Sequence, residues 1–206
     1  MMKKISTLLL AGLVAFGSPL AQAKNLILYF TQPESIPNDK LDGVSGASKI
    51  IKDGEAYGAN EYLAREIQKN VGGDLVRIET VQAYPTVHKL LLDFAQNEQR
   101  KGIKPQLKPL PNFADYDTIY VGYPIWWYQM PMAMYSLFEQ NDFSGKTLIP
   151  FVGHGGSRFS GSIEEIRKMQ PNATVKDGAF EAYLHRTTQA DSEVEKRVAE
   201  WLKNSQ

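Results

Sequence analysis

Asn25-Leu26-Ile27-Leu28-Tyr29-Phe30 opens into a continuous apolar run of strand length, and its reading decides the fold. A strand with one face in water alternates apolar and polar residues. A run without alternation suits a strand buried on both faces, as in a parallel sheet covered by helices. Comparable stretches recur at Asp74 to Glu79, at Asp117-Thr118-Ile119-Tyr120-Val121-Gly122-Tyr123 and at Thr147 to Val152, with a weaker fifth within Thr174 to Leu184.

Helical patterns lie between them. Ala59 to Val71 places Ala59, Leu63, Ala64, Ile67 and Val71 at helical spacing, and Gly72-Gly73 supplies a left-handed stop. Val87 to Arg100 reads as a second helix with Leu90, Leu91 and Phe94 on its apolar side and Gly102 beyond it. Ser162 to Met169 is a third, ended by Pro171. Ala190 to Lys203 is a fourth, with Val194, Val198, Trp201 and Leu202 on one stripe. Such stripes belong to the core, since a helix flanking a sheet must bury one face. Alternating strands and helices, joined by right-handed crossovers, predict a three-layer, doubly wound α/β domain with a five-stranded parallel sheet in the order 2-1-3-4-5. In that order a ligand sits beyond the carboxyl ends of the strands, where the winding reverses, so the loops leaving Phe30, Tyr123 and Val152 carry the functional question.

Upstream of the first strand, Lys3 and Lys4 precede the apolar run Ile5 to Phe16, and Ala21-Gln22-Ala23 follows. This is the pattern of a secretory signal peptide with an A-x-A cleavage site, giving a leader at 1–23 and a mature domain at 24–206. The 12-residue run is shorter than the roughly 20 residues that span a bilayer, so no stable membrane anchor is expected after cleavage. The expected location is periplasmic or secreted, by Sec-type export, because the leader has no twin arginine. The full chain of 206 residues has 23 basic and 23 acidic side chains, and removing Lys3 and Lys4 leaves a net charge of −2. That balance does not favour nucleic acid or an anionic membrane surface as a partner. Without cysteine, disulfides, thiolate catalysis and iron–sulfur ligation are excluded. His88, His154 and His185 are far apart with no H-x-x-x-H spacing, so no metal site is expected.

The first of the three loops, an insertion at 32–57 between Thr31 and Gly58, is too long for an ordinary strand-to-helix connection. It reads either as a surface insertion or as a lid over the switch point. At its end Gly58-Ala59-Asn60 opens a helix whose unpaired amides make a natural anion site, with the glycine allowing close backbone approach. The second loop, Tyr123 to Pro131, holds Pro124, Ile125, Trp126, Trp127 and Tyr128. Aromatics this dense after a buried strand suit a planar ligand held by offset stacking, with plain core or interface packing as the other reading. The third, Gly153-His154-Gly155-Gly156-Ser157, offers main-chain amides and close approach at its glycines. His154 by itself reads more as a structural hydrogen bonder than as a catalytic group.

Together the Y-P-I-W-W-x-x-M-P loop at Tyr123 to Pro131 and the H-G-G-S loop at His154 to Ser157 resemble a bacterial branch of the flavodoxin-like FMN-binding proteins. Asp142-Phe-Ser-Gly-Lys-Thr147, Pro171-Asn-Ala-Thr-Val175, Tyr84-Pro85 and Pro105 extend the likeness over essentially all of the mature chain. The resemblance implies a flavodoxin fold holding FMN noncovalently. The phosphate would lie against Thr31, Gly58, Ala59 and Asn60, and the isoalloxazine between Pro124, Ile125, Trp126, Trp127 and Tyr128 on one side and His154, Gly155, Gly156 and Ser157 on the other. The family's compact phosphate turn, typically ending in Gly-Asn-Thr, is split here by the insertion and ends in Gly58-Ala59-Asn60. The implied function is electron transfer by an exported flavoprotein, as a carrier serving an unidentified redox partner or as a small FMN-dependent oxidoreductase. Because flavin carries the redox chemistry, no catalytic side chain is singled out. The alternative is a flavodoxin-fold binding module that has lost FMN and holds another planar ligand or a protein. A hydrolase is a third reading, raised by His154-Gly155-Gly156 and weakened by the lack of a G-x-S-x-G nucleophile elbow.

Overall fold

The computed structural model describes residues 24–37, 40, 48–184 and 192–204. The expected leader, the 38–39 and 41–47 parts of the insertion, His185 and the expected helix start at Ala190 lie outside the described residues.

β1 (Asn25–Tyr29) is central, and residues 26–29 are all buried, as an unalternated run requires. It pairs in parallel with β4 (Asp74–Arg77) on one side and β5 (Thr118–Gly122) on the other. β6 (Thr147–His154) continues the sheet beyond β5, again in parallel. The fifth position is shared by two short strands, β7 (Thr174–Val175) and β8 (Phe180–Tyr183), both parallel to β6. The sheet order is therefore the expected 2-1-3-4-5, with its last strand interrupted between Val175 and Phe180.

Helices cover both faces. α1 (Ala59–Val71) and α5 (Ser192–Asn204) bury Leu63, Ala64 and Ile67, and Val194, Val198 and Leu202, against one face. α2 (His88–Lys101), α3 (Met132–Gln140) and α4 (Ser162–Met169) pack on the other. Gly72 and Gly73 end α1 at φ 68° and 98°. At Gly73 a Cβ would fall 2.3 Å from the Asn25 carbonyl oxygen, so this glycine is demanded by contact as well as by conformation.

Four elements depart from the sequence expectation. The 32–57 segment is not loop throughout, because β2 (Lys49–Lys52) and β3 (Glu55–Gly58) form an antiparallel hairpin. Asp53 and Gly54 turn it at φ 52° and 83°, the left-handed pair a two-residue turn needs. α3 was not expected. It buries residues on nearly every side, Met132, Ala133, Met134, Ser136, Leu137 and Phe138 among them, so it carries no amphipathic stripe to read. On α2 the buried face is Leu91, Ala95 and Glu98, whereas Leu90 is exposed. Burying Glu98 is possible because the Tyr84 hydroxyl donates to its carboxylate at 2.7 Å, although burial still raises the pKa of that carboxyl. β6, finally, runs two residues past Val152, which makes His154 the last residue of a strand rather than part of a loop.

Candidate functional site

At the carboxyl ends of β1, β5 and β6 the structure encloses a cavity of about 210 Å³. Its floor is where the winding reverses, between β1 and β5. Of the residues singled out from sequence, Thr31, Ala59, Asn60, Pro124, Ile125, Trp126, His154, Gly155 and Ser157 line it. Gly58, Trp127, Tyr128 and Gly156 lie outside the lining.

The α1 start is fixed from two directions. Gly58 packs so closely on Thr31 that a Cβ there would lie 2.4 Å from Thr31 Oγ1 and 2.7 Å from its Cγ2. The Ala59 N–H donates to the Ser48 carbonyl at 2.9 Å, which ties the hairpin insertion to the helix. Asn60, 1% exposed, accepts the Gly153 N–H through Oδ1 at 2.8 Å. This bond joins α1 to the end of β6 and occupies one side-chain atom of a residue that also faces the cavity. Among the described residues no side chain caps the helix, so apart from the Ala59 N–H, which Ser48 takes, the positive end of its dipole remains at the cavity edge.

On the opposite side, Trp126 packs edge-on against Phe30 and Tyr84, with ring centroids at 5.6 and 5.3 Å. It therefore serves both core and cavity. The chain then reverses tightly: the Trp126 N–H donates to the Gln129 carbonyl at 2.9 Å and the Gln129 N–H returns to Trp126 at 3.1 Å. Trp127 and Tyr128 occupy the turn at φ 49° and 62°, a left-handed pair usually supplied by Asn-Gly. Their side chains point outward, 43% and 78% exposed, and the Trp127 indole donates to the Leu92 carbonyl of α2 at 3.1 Å.

His154 closes the third side. The Gly156 N–H donates to its Nδ1 at 3.0 Å, so in the neutral ring the proton sits on Nε2. That Nε2 is buried without a hydrogen-bond partner among the described residues and lies 3.7 Å from a Glu181 oxygen, beyond hydrogen-bond range. Burial lowers the His154 pKa; Glu181 opposes the shift, and Arg158 and Arg197 add to it.

Two residues of this cavity carry no signal in the sequence. Glu34, in the insertion, and His88, at the start of α2, both line it, with Glu34 Oε1 3.0 Å from His88 Nδ1. They are 54 positions apart, and only the fold brings them together. No lysine or arginine lines the cavity among the described residues; its titratable groups are Glu34, His88 and His154.

These features fit a ligand with an anionic end and a flat body. Two buried polar atoms, Glu34 Oε2 and His154 Nε2, have no partner among the described residues, while the helix start offers amides and Trp126 a ring.

Comparisons with known proteins agree with this geometry. The profile of the family described as Flavodoxin matches residues 50–204. Among curated protein sequences none matches the chain. A candidate flavoprotein of Bacteroides eggerthii is 25% identical, with a TM-score of 0.61 over 89% of this chain and 98% of its own. A second, from Bacteroides uniformis, is 24% identical, with a TM-score of 0.64 over 88% and 98%. A flavoprotein of Lactobacillus acidophilus, solved in complex with FMN, is 16% identical, with a TM-score of 0.55 over 84% and 97%. The profile match spans most of the chain and the sheet order is the one it requires, so the chain belongs to the flavodoxin family of FMN-binding proteins.

Proposed function

We propose that the protein binds FMN in the cavity at the sheet's switch point and transfers electrons, as an exported carrier or small reductase. The observation that carries this reading is convergence: an uncapped helix start, an aromatic loop and a glycine-rich strand end meet on one cavity. Three separate stretches of sequence contribute, and each supplies what a different part of a flavin nucleotide needs. The first-turn amides of α1 favour a phosphate. Trp126 and Pro124 present one flank for a ring, and His154, Gly155 and Ser157 the other. His154, whose Nδ1 accepts the Gly156 N–H, offers its Nε2–H as a donor in the neutral ring.

FMN, when bound, supplies the one- and two-electron redox chemistry, and the protein's part is to bind, orient and tune it. The cavity is smaller than the about 300–1,000 Å³ of common ligand pockets. The leader-like 1–23 segment supports a periplasmic or secreted location.

The test is a fluorescence titration of the purified mature chain, residues 24–206, with FMN and with riboflavin. Saturable quenching by FMN, with much weaker binding of riboflavin, is the expected result and would show that the phosphate contributes to binding. Absence of binding to either flavin would sink the proposal and leave the module that binds another planar ligand or a protein.

A further inference from the structure

Glu34 sits where a carboxylate is costly. It is 6% exposed, and only one of its oxygens is satisfied, by His88. Oε2 is shut off from solvent and has no partner among the described residues, yet the residue lines the cavity. A buried carboxylate oxygen left unpaired destabilises the fold, and such an arrangement persists where a ligand completes it. The two elements that hold Glu34 come from different parts of the chain: its carboxylate meets His88 on α2, and its backbone N–H donates to Ser48 Oγ at 3.4 Å. The Ser48 carbonyl in turn accepts the Ala59 N–H at the α1 start, so Glu34 lies beside the helix end assigned to phosphate.

We propose that Glu34, oriented by His88, is a recognition residue for the polyol chain of the bound nucleotide, with Oε2 accepting a hydrogen bond from a ribityl hydroxyl. This rests on the FMN reading above. The cavity's other unpartnered buried side-chain atom among the described residues, His154 Nε2, is a donor in the neutral ring, whereas Glu34 Oε2 is an acceptor and suits a ligand hydroxyl. A carboxylate beside the phosphate end repels a bare anion and accepts from hydroxyls, which favours a group lying between phosphate and ring.

The experiment measures two quantities on the mature chain and on its Glu34→Gln and Glu34→Leu variants. One is the affinity for FMN, riboflavin and lumiflavin, which has the ring but no polyol. The other is the melting temperature without flavin. The Gln variant can keep its oxygen on His88 and present an amide N–H where an acceptor is needed. Expected are a loss of about tenfold or more in affinity for FMN and riboflavin, unchanged lumiflavin binding, and a flavin-free melting temperature equal to or above wild type. A drop in melting temperature in both variants, with all three ligands weakened in parallel, would make Glu34 structural and overturn the assignment. Equal weakening of all three ligands at unchanged melting temperature would move the contact to the ring and overturn it too. Wild-type binding of FMN with unaltered affinity in both variants would refute this assignment alone. Failure of the wild-type chain to bind FMN would refute the cofactor reading and this inference with it.

Discussion

On the α1 side of the cavity the Asn60 carboxamide accepts the Gly153 N–H and Gly58 nests against Thr31; on the β5 side the chain turns through Trp127 and Tyr128 at positive φ. The first wall is buried, and its Asn60 and Ala59 are tied to Gly153 and Ser48. The second stores backbone strain of roughly 1–2 kcal/mol per left-handed residue and holds two large aromatics in solvent. Val87 and Leu90, at the start of α2, are exposed as well, at 52% and 56%. One wall is packed into the fold, and the other is maintained at a cost to stability. Strain and exposure of this kind gather at sites used for binding.

Breaking the first wall gives the largest effects. A Gly58→Val substitution forces a branched side chain into Thr31, itself β-branched and stiff, and is expected to destabilise by about 3 kcal/mol in chemical denaturation. A near-neutral result would mean the helix start is not packed as described. Asn60→Ala removes the partner of a buried amide and is expected to cost about 2 kcal/mol. Hydrogen exchange at Gly153 should accelerate in this variant, and unchanged protection there would show that the bond does not hold the wall.

The second wall should respond in the opposite sense. Tyr128→Gly relieves one left-handed residue with little packing lost, so stability should rise by about 1 kcal/mol, read as an increase in melting temperature. A fall would show that the tyrosine ring contributes more than its exposure indicates. The smallest effect is pH-dependent and belongs to His154, whose pKa burial lowers in the folded state. The unfolded chain then takes up the proton first, so the stability supplied by the neutral ring is present above about pH 6.5 and is lost as pH falls through the depressed folded value. His154→Gln keeps an acceptor for the Gly156 N–H and should flatten the stability profile over that window. An unchanged acid slope would assign the sensitivity to another group.

How far the site was legible differs along the chain. α1 could be read at both ends, because Gly58 precedes its stripe and Gly72-Gly73 follows it. The hairpin of β2 and β3 was legible in principle through Asp53-Gly54, but that signal was hidden inside a segment rich in glycine and proline. α3 had no period to detect because it is apolar nearly all round. The buried face of α2 turned on Glu98, which sequence places on the surface until Tyr84 is found opposite it. The aromatic loop was visible as composition, but its division was not: Trp126 turns inward, while Trp127 and Tyr128 face out through a tight turn.

Sequence by itself determined the layered α/β architecture, the strand order and the three loops at the cavity, since unalternated apolar runs and helical stripes are local patterns that leave few ways to bury both. The polar content of the cavity was decided only by the tertiary structure. Glu34 and His88 meet across 54 positions, Asn60 and Gly153 across 93, and whether a polar atom is paired or left for a ligand depends on which distant group folding places beside it.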